Sequence, residues 1–133
     1  MGLYLTADDF FTGLFAALVL KGYKTISIRD ERFDKSVALV FDDLQGLAER
    51  EHLDLRFRIR VHPIHGDSAT VRHSISDAVQ SGIISLDNPE YQDIRLRLEP
   101  RVAETILDDI PGGRNLFDGL ADQFVRRYDT VAL

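Results

Sequence analysis

The amino-acid pattern predicts an α+β fold of about five helices with a small, mostly antiparallel sheet of three to four strands. Three observations carry that expectation. Five segments repeat apolar residues at three- and four-residue intervals, the period of one helix face. Short runs elsewhere alternate apolar and polar residues with a period of two, the mark of a strand with one buried face. Capping and breaking residues fall between these segments. All 133 residues read as a single domain, because the length suits one core and no repeat, low-complexity tract or linker interrupts the pattern.

The first helix starts at Thr6, a good N-cap, with Asp8 and Asp9 in the turn where the helix dipole favours negative charge. Phe10, Phe11, Leu14, Phe15, Ala17 and Leu18 cover most of its circumference, so it is expected to be largely buried, and Lys21 and Gly22 end it. Residues 25–29 form a short strand. Asp30 is the expected cap of a second helix reaching about His52, with one stripe of Phe33, Val37, Val40, Phe41, Leu44, Leu47 and Ala48. A strand over residues 55–61 and a loop containing Pro63 and Gly66 lead to a third helix. Asp67 or Ser68 caps it, Val71, Ile75, Ala78 and Val79 face inward, and Gly82 stops it.

Residues 83–86 and 94–98 read as two strands joined by a turn at residues 87–90. Pro100 opens a fourth helix at its first position, with Val102, Ala103, Ile106, Leu107 and Ile110 on its apolar side. Pro111, Gly112 and Gly113 break it. Asn115 caps the last helix, whose stripe is Leu116, Phe117, Leu120, Ala121, Phe124, Val125 and Tyr128. That stripe suits either the domain's own core or a second copy, and it raises the expectation of a homodimer.

Hydrophobic residues make up 44% and charged residues 29% of the chain, an ordinary folded composition. The formal charge is −6; setting six strand arginines aside from the 16 basic residues leaves 10 against 22 acidic ones. Such a balance disfavours unspecific nucleic-acid binding, which depends on neutralising many phosphates. Without cysteine there is no disulfide, thiolate zinc site or thiol nucleophile. The longest apolar stretch, residues 10–20, is about half of what a bilayer needs, and the acidic, Lys-free start does not resemble a signal peptide. A cytoplasmic protein without membrane association is the expectation.

The most informative feature is a set of six arginines at alternate positions: Arg29, then Arg56, Arg58 and Arg60, then Arg95 and Arg97. Alternation turns Leu55, Phe57, Ile59 and Val61 to one side and the arginines to the other. Successive guanidinium groups would stand about 6.5–7 Å apart along a strand. If the three runs share one sheet, its outer face is a row of planar forks suited to carboxylates or phosphates. The bland competitor is a solvated face whose arginines pair with the chain's own carboxylates. Arginine outnumbers lysine 13 to 3, so part of the signal is compositional.

His62, His65 and Asp67 lie together and supply ligands of the kind zinc or manganese accept, although proline and glycine make the stretch a turn and no established ligand motif is present. On the third helix Thr70, Arg72, His73, Ser74, Ser76, Asp77 and Gln80 would face outward. One arginine beside acidic residues makes a poor major-groove reader. Residues 68–98, a helix running into a two-stranded hairpin, resemble the recognition helix and wing of a winged-helix domain. The resemblance covers about a quarter of the chain and implies a winged-helix-like middle. Its wing turn carries Asp87, Glu90 and Asp93, and acidic wings more often serve protein contacts than DNA.

Together these features read as a non-enzymatic binding or adaptor domain, oligomeric, that engages an anionic or protein partner through Arg29, Arg56, Arg58, Arg60, Arg95 and Arg97. No cofactor is expected. One alternative is a winged-helix DNA-binding transcriptional regulator. Another is a small metal-dependent hydrolase built on His62, His65 and Asp67, for which no paired nucleophile or carboxylate stands out.

Overall fold

The most apolar segment of the chain becomes the axis of the fold. A computed structural model describes residues 3–28, 31–59, 68–86 and 93–130. Helix α1 (Ala7–Leu20) buries Phe10, Phe11, Gly13, Leu14, Phe15, Ala16, Ala17 and Leu18. Helices α3 (Ala69–Gln80), α4 (Pro100–Asp109) and α5 (Gly113–Thr130) pack against it. Helix α2 (Arg32–Glu51) reaches it through aromatic rings. Phe33 lies 6.4 Å from Phe11 and stacks on Phe15 at 6.3 Å, and it meets Phe124 of α5 edge-on at 5.6 Å.

Both ends of α1 follow the sequence signals. The Asp9 N–H donates to Thr6 Oγ1 (3.1 Å) and the Thr6 N–H donates to Asp9 Oδ2 (3.3 Å), a reciprocal capping box. At the other end Gly22 takes φ +95°, with Gly22 N–H bonded to Val19 O and Tyr23 N–H to Leu18 O. Helix α3 closes in the same way at Gly82, φ +76°, through Gly82 N–H to Val79 O and Ile83 N–H to Ala78 O. Glycine at both stops supplies the left-handed residue that this double closure requires.

Other boundaries differ from expectation. Glu31 occupies the cap position of α2 at φ 55° without a side-chain cap bond, and Asp30 lies outside the described residues. Ser68 caps α3, accepting from Val71 N–H at 3.4 Å, while Asp67 lies outside the described residues. Helix α5 begins at Gly113 rather than at an Asn115 cap, because Gly112 and Gly113, both at positive φ, already turn the chain. Val79 and Val102, expected inside, are exposed. Each is one residue, or about 100° of helix rotation, from a core position at Ala78 or Ala103.

Among the described residues the strands form two small sheets instead of one. Strand β1 (Leu3–Leu5), too short for its alternation to register in the sequence, pairs in parallel with β3 (Leu53–Leu55). Of the strand expected over residues 55–61, residues 60 and 61 lie outside the described residues; the described ladder ends where Arg56 N–H donates to Leu5 O (2.9 Å), because the next residue on the β1 side, Thr6, already caps α1. Alternating burial nevertheless continues. Phe57 sits against the rings of Phe10 and Phe41 (5.4 and 5.1 Å) and Ile59 is buried, while Arg56 and Arg58 are exposed. The second sheet is antiparallel, in the order β2 (Thr25–Ser27), β5 (Asp93–Leu96), β4 (Ile84–Ser85). Its inner face buries Ile26, Ile84 and Ile94.

The stripe of α5 is spent on the chain's own core: Phe117, Leu120, Ala121 and Phe124 are buried. Polar ties hold the helix along its length. Lys21 Nζ lies 2.7 Å from Asp122 and 3.0 Å from Asp118, and hydrogen bonds to these carboxylates, Asp122 first, raise its pKa above the usual lysine value. Arg127 grips both oxygens of Asp43 on α2 (3.2 and 3.3 Å). The Arg32 guanidinium lies over the Tyr128 ring at 4.2 Å and its Nε donates to Tyr128 O at 2.7 Å. No helix among the described residues is long and apolar enough to cross a membrane.

Glycine substitutions separate close packing from simple helix propensity. A Cβ at Gly13 would run into the Phe117 ring, whereas one at Gly46 in α2 or Gly119 in α5 meets nothing within 4 Å. Urea unfolding is expected to show Gly13→Ala losing about 1–3 kcal/mol. Gly46→Ala and Gly119→Ala should each gain about 0.5–1 kcal/mol. A neutral or stabilising Gly13→Ala would contradict the α1–α5 packing.

Candidate functional site

Strand β5 is the middle of the antiparallel sheet, so its outward residues have neighbours on both sides. Asp93, Arg95 and Arg97 share the face opposite Ile94. The register sets Thr25 of β2 and Ser85 of β4 directly beside Arg95. Arg97 Nε donates to Ser85 Oγ at 2.9 Å. Asp93, opposite Ser27, places a carboxylate at one end of the face. The outcome is two exposed guanidinium groups set among three hydroxyls, Thr25, Ser27 and Ser85, on a sheet whose other side is core.

The end of α5 borders this face. Tyr128 Oη donates to the carbonyl of Ser27 at 2.8 Å, so a helix side chain caps the edge strand β2. Next to that contact a small pocket of about 140 Å³ opens between Tyr23, Val125 and Tyr128 and reaches Thr25 and Ser27.

The four described arginines of the set do not make one row. Arg95 and Arg97 belong to the antiparallel sheet, and Arg56 and Arg58 follow β3 in the other sheet. Arg29 and Arg60 lie outside the described residues. The physical reason is strand pairing: β3 takes the parallel partner β1, which the sequence did not announce, and leaves β5 to β2 and β4. Arg56 is engaged locally, with Nε 3.1 Å from Asp54 Oδ2 and its guanidinium 4.0 Å over the Tyr4 ring.

His62, His65 and Asp67 lie outside the described residues. Among the described residues no cluster of three or more His, Cys, Asp or Glu has metal-holding geometry. His73 is highly exposed and its Nε2 stands 3.4 Å from Asp77 Oδ2. Asp77 also approaches Asp8 at the start of α1. Asp8 is exposed along most of its surface, yet partial burial of its carboxyl, followed by the Asp77 charge and a hydrogen bond to Asp77, raises its pKa above the ordinary aspartate value.

Asp34 is a buried polar group that the sequence pattern did not single out. Asp34, in the first turn of α2, is fully buried and accepts the Ser68 backbone N–H at 2.8 Å, while Arg72 Nη2 lies 3.2 Å from its other oxygen. It therefore fixes where α3 begins relative to α2 and binds the arginine of α3. The signal was present: Asp34 lies on the apolar stripe through Val37, Phe41, Leu44 and Ala48. Ser74, expected outward on α3, is buried as well. His73, Ser76, Val79 and Gln80 form the exposed side of that helix.

Comparison of the chain with protein-family models, curated proteins and solved structures yields no match.

Two measurements check these ties. Asp34→Ala is expected to lower stability by about 2 kcal/mol. It should also raise amide exchange at the start of α3; unchanged exchange there would deny the tether. Asp8 has a folded pKa above its unfolded one, so its contribution favours folding below about pH 4 and is lost as pH rises through the raised value. Asp8→Asn should therefore be more stable than the parent at neutral pH, with the advantage shrinking in acid. An advantage independent of pH would count against this account.

Proposed function

We propose that this chain is a non-enzymatic binding domain, an adaptor in the cytoplasm, whose antiparallel sheet docks an acidic segment of a protein partner. The reading rests on one observation: Arg95 stands on the central strand between Thr25 and Ser85, with Arg97 alongside. Planar guanidinium groups flanked by hydroxyl donors suit carboxylates, and a central strand presents them on a rigid base. A net charge of −6 keeps polyanions at a distance overall, so a short acidic segment meeting a local basic face fits better than a nucleic-acid backbone.

The succession of α3, β4 and β5 is compatible with a winged-helix-like middle, which remains part of the proposal. Two features favour a protein partner over DNA. Arg72, the arginine of α3, is already paired with buried Asp34. The expected turn at residues 87–90 lies outside the described residues, but the sequence between β4 and β5 carries Asp87 and Glu90, and Asp93 opens β5. Self-association, if it accompanies this role, cannot use Phe117, Leu120, Ala121 or Phe124 of the α5 stripe, which are buried in the chain itself.

The test is a fluorescence-anisotropy titration with a labelled oligoglutamate peptide and, in parallel, a single-stranded oligonucleotide. The peptide is expected to bind, and Arg95→Ala with Arg97→Ala to weaken it by roughly tenfold, whereas Arg56→Ala leaves it unchanged. Equal affinity in parent and double variant sinks the proposal. Preferred binding of the oligonucleotide, falling steeply with salt, would move the assignment to a nucleic-acid-binding domain.

A further inference from the structure

On a second surface the charge is reversed. Where the end of α2, strand β3 and the α4–α5 turn meet, the fold leaves a cleft of about 830 Å³. Leu47, Leu53, Ile110 and Leu116 give it apolar walls, and Glu51 and Asp109 stand in its lining as exposed carboxylates. No lysine, arginine or histidine lines it among the described residues. Neither carboxylate is in an ion pair among those residues, in contrast to neighbouring Asp108, which pairs with Arg114 at 3.2 Å. The volume falls in the range of ligand-binding clefts, roughly 300–1,000 Å³.

We infer that this cleft docks a segment of a protein partner that presents apolar side chains next to lysine or arginine. Leucine-sized groups would exchange water for the walls, the main favourable contribution. The partner's cations would meet Glu51 and Asp109 at the rim, where complementary charge sets specificity and association rate. An acidic segment or a nucleic acid would meet two carboxylates with no compensating cation in the lining. The inference does not rest on the sheet proposal, because the two surfaces share no residue.

Gly119 allows a direct test. It lies in the cleft lining on a helical position, and a Cβ there meets nothing within 4 Å, so Gly119→Leu is expected to place its side chain in the cleft and narrow it. Random peptides displayed on phage are selected against the intact protein and counter-selected against folded Gly119→Leu, its fold checked by circular dichroism and thermal melting. The expected survivors combine Leu, Ile or Phe with adjacent Lys or Arg. Their binding is lost in Gly119→Leu and falls roughly fivefold or more when Glu51→Lys and Asp109→Lys are combined. Survivors that are acidic, that bind Gly119→Leu as well as the parent, or that ignore the charge reversal overturn the inference. So does a selection that returns no peptide preferring the parent. A parent dimer that Gly119→Leu converts to monomer would make a second copy the occupant, which also overturns it. Arg95→Ala with Arg97→Ala is expected to leave the selected peptides' binding unchanged, so the fate of one surface does not decide the other.

Discussion

A helix that is apolar on nearly every side must be covered on nearly every side, and α1 imposes that requirement on the whole chain. Its phenylalanines cannot be satisfied by a single neighbour, so α3, α4 and α5 pack around it and α2 is drawn in through Phe33. Coverage is tight enough that Gly13 admits the Phe117 ring where any side chain would collide. Burial of Phe117, Leu120 and Phe124 follows from the same demand. The middle of the α5 stripe is spent on the chain's own core, while Leu116, Val125 and Tyr128 remain half-buried.

Once the helices are committed to α1, orientation is left to a few polar contacts. Asp34 joins the start of α2 to the start of α3, and Tyr128 joins the end of α5 to the edge of β2. Asp34 is the more demanding contact, since a buried carboxylate is tolerated only where donors surround it. Here one oxygen accepts a backbone N–H at a helix cap, and the other lies 3.2 Å from a guanidinium that remains partly in water, an ion pair without hydrogen-bond geometry. By holding Arg72, this contact also alters the chemistry of the α3 surface, leaving His73, Ser76 and Gln80 outside. A structural tie thus takes a cation out of the free surface of α3.

The two surfaces left uncovered by this packing are opposite in character. The antiparallel sheet offers arginines and hydroxyls, and the cleft beside β3 offers apolar walls with carboxylates. Binding at both would let one small domain bridge two partner segments of unlike charge, which is what the proposed adaptor role requires. Overall charge conceals this division, because −6 is the sum of unlike local fields.

The sequence by itself determined the five helices and most of their ends, because helix period, capping and glycine stops act within one or two turns of chain. Thr6 with Asp9, Gly22, Gly82 and Pro100 all do locally what their residue types predict. It also determined that Arg56 and Arg58 point away from Phe57 and Ile59, since a two-residue alternation needs no partner strand to be read. Tertiary structure decided everything that depends on distant residues meeting. Strand β3 paired with Leu3–Leu5, so Arg56 and Arg58, which follow it, are separated from Arg95 and Arg97 at the antiparallel sheet. Asp34 found its partners 34 and more residues away, and Leu47, Glu51 and Leu53 met Asp109 and Ile110 to form a cleft that no local pattern foretells. The physical reason is the same in each case: periodicity reports which way a side chain faces, while its neighbours are set by which segments share the burial of α1.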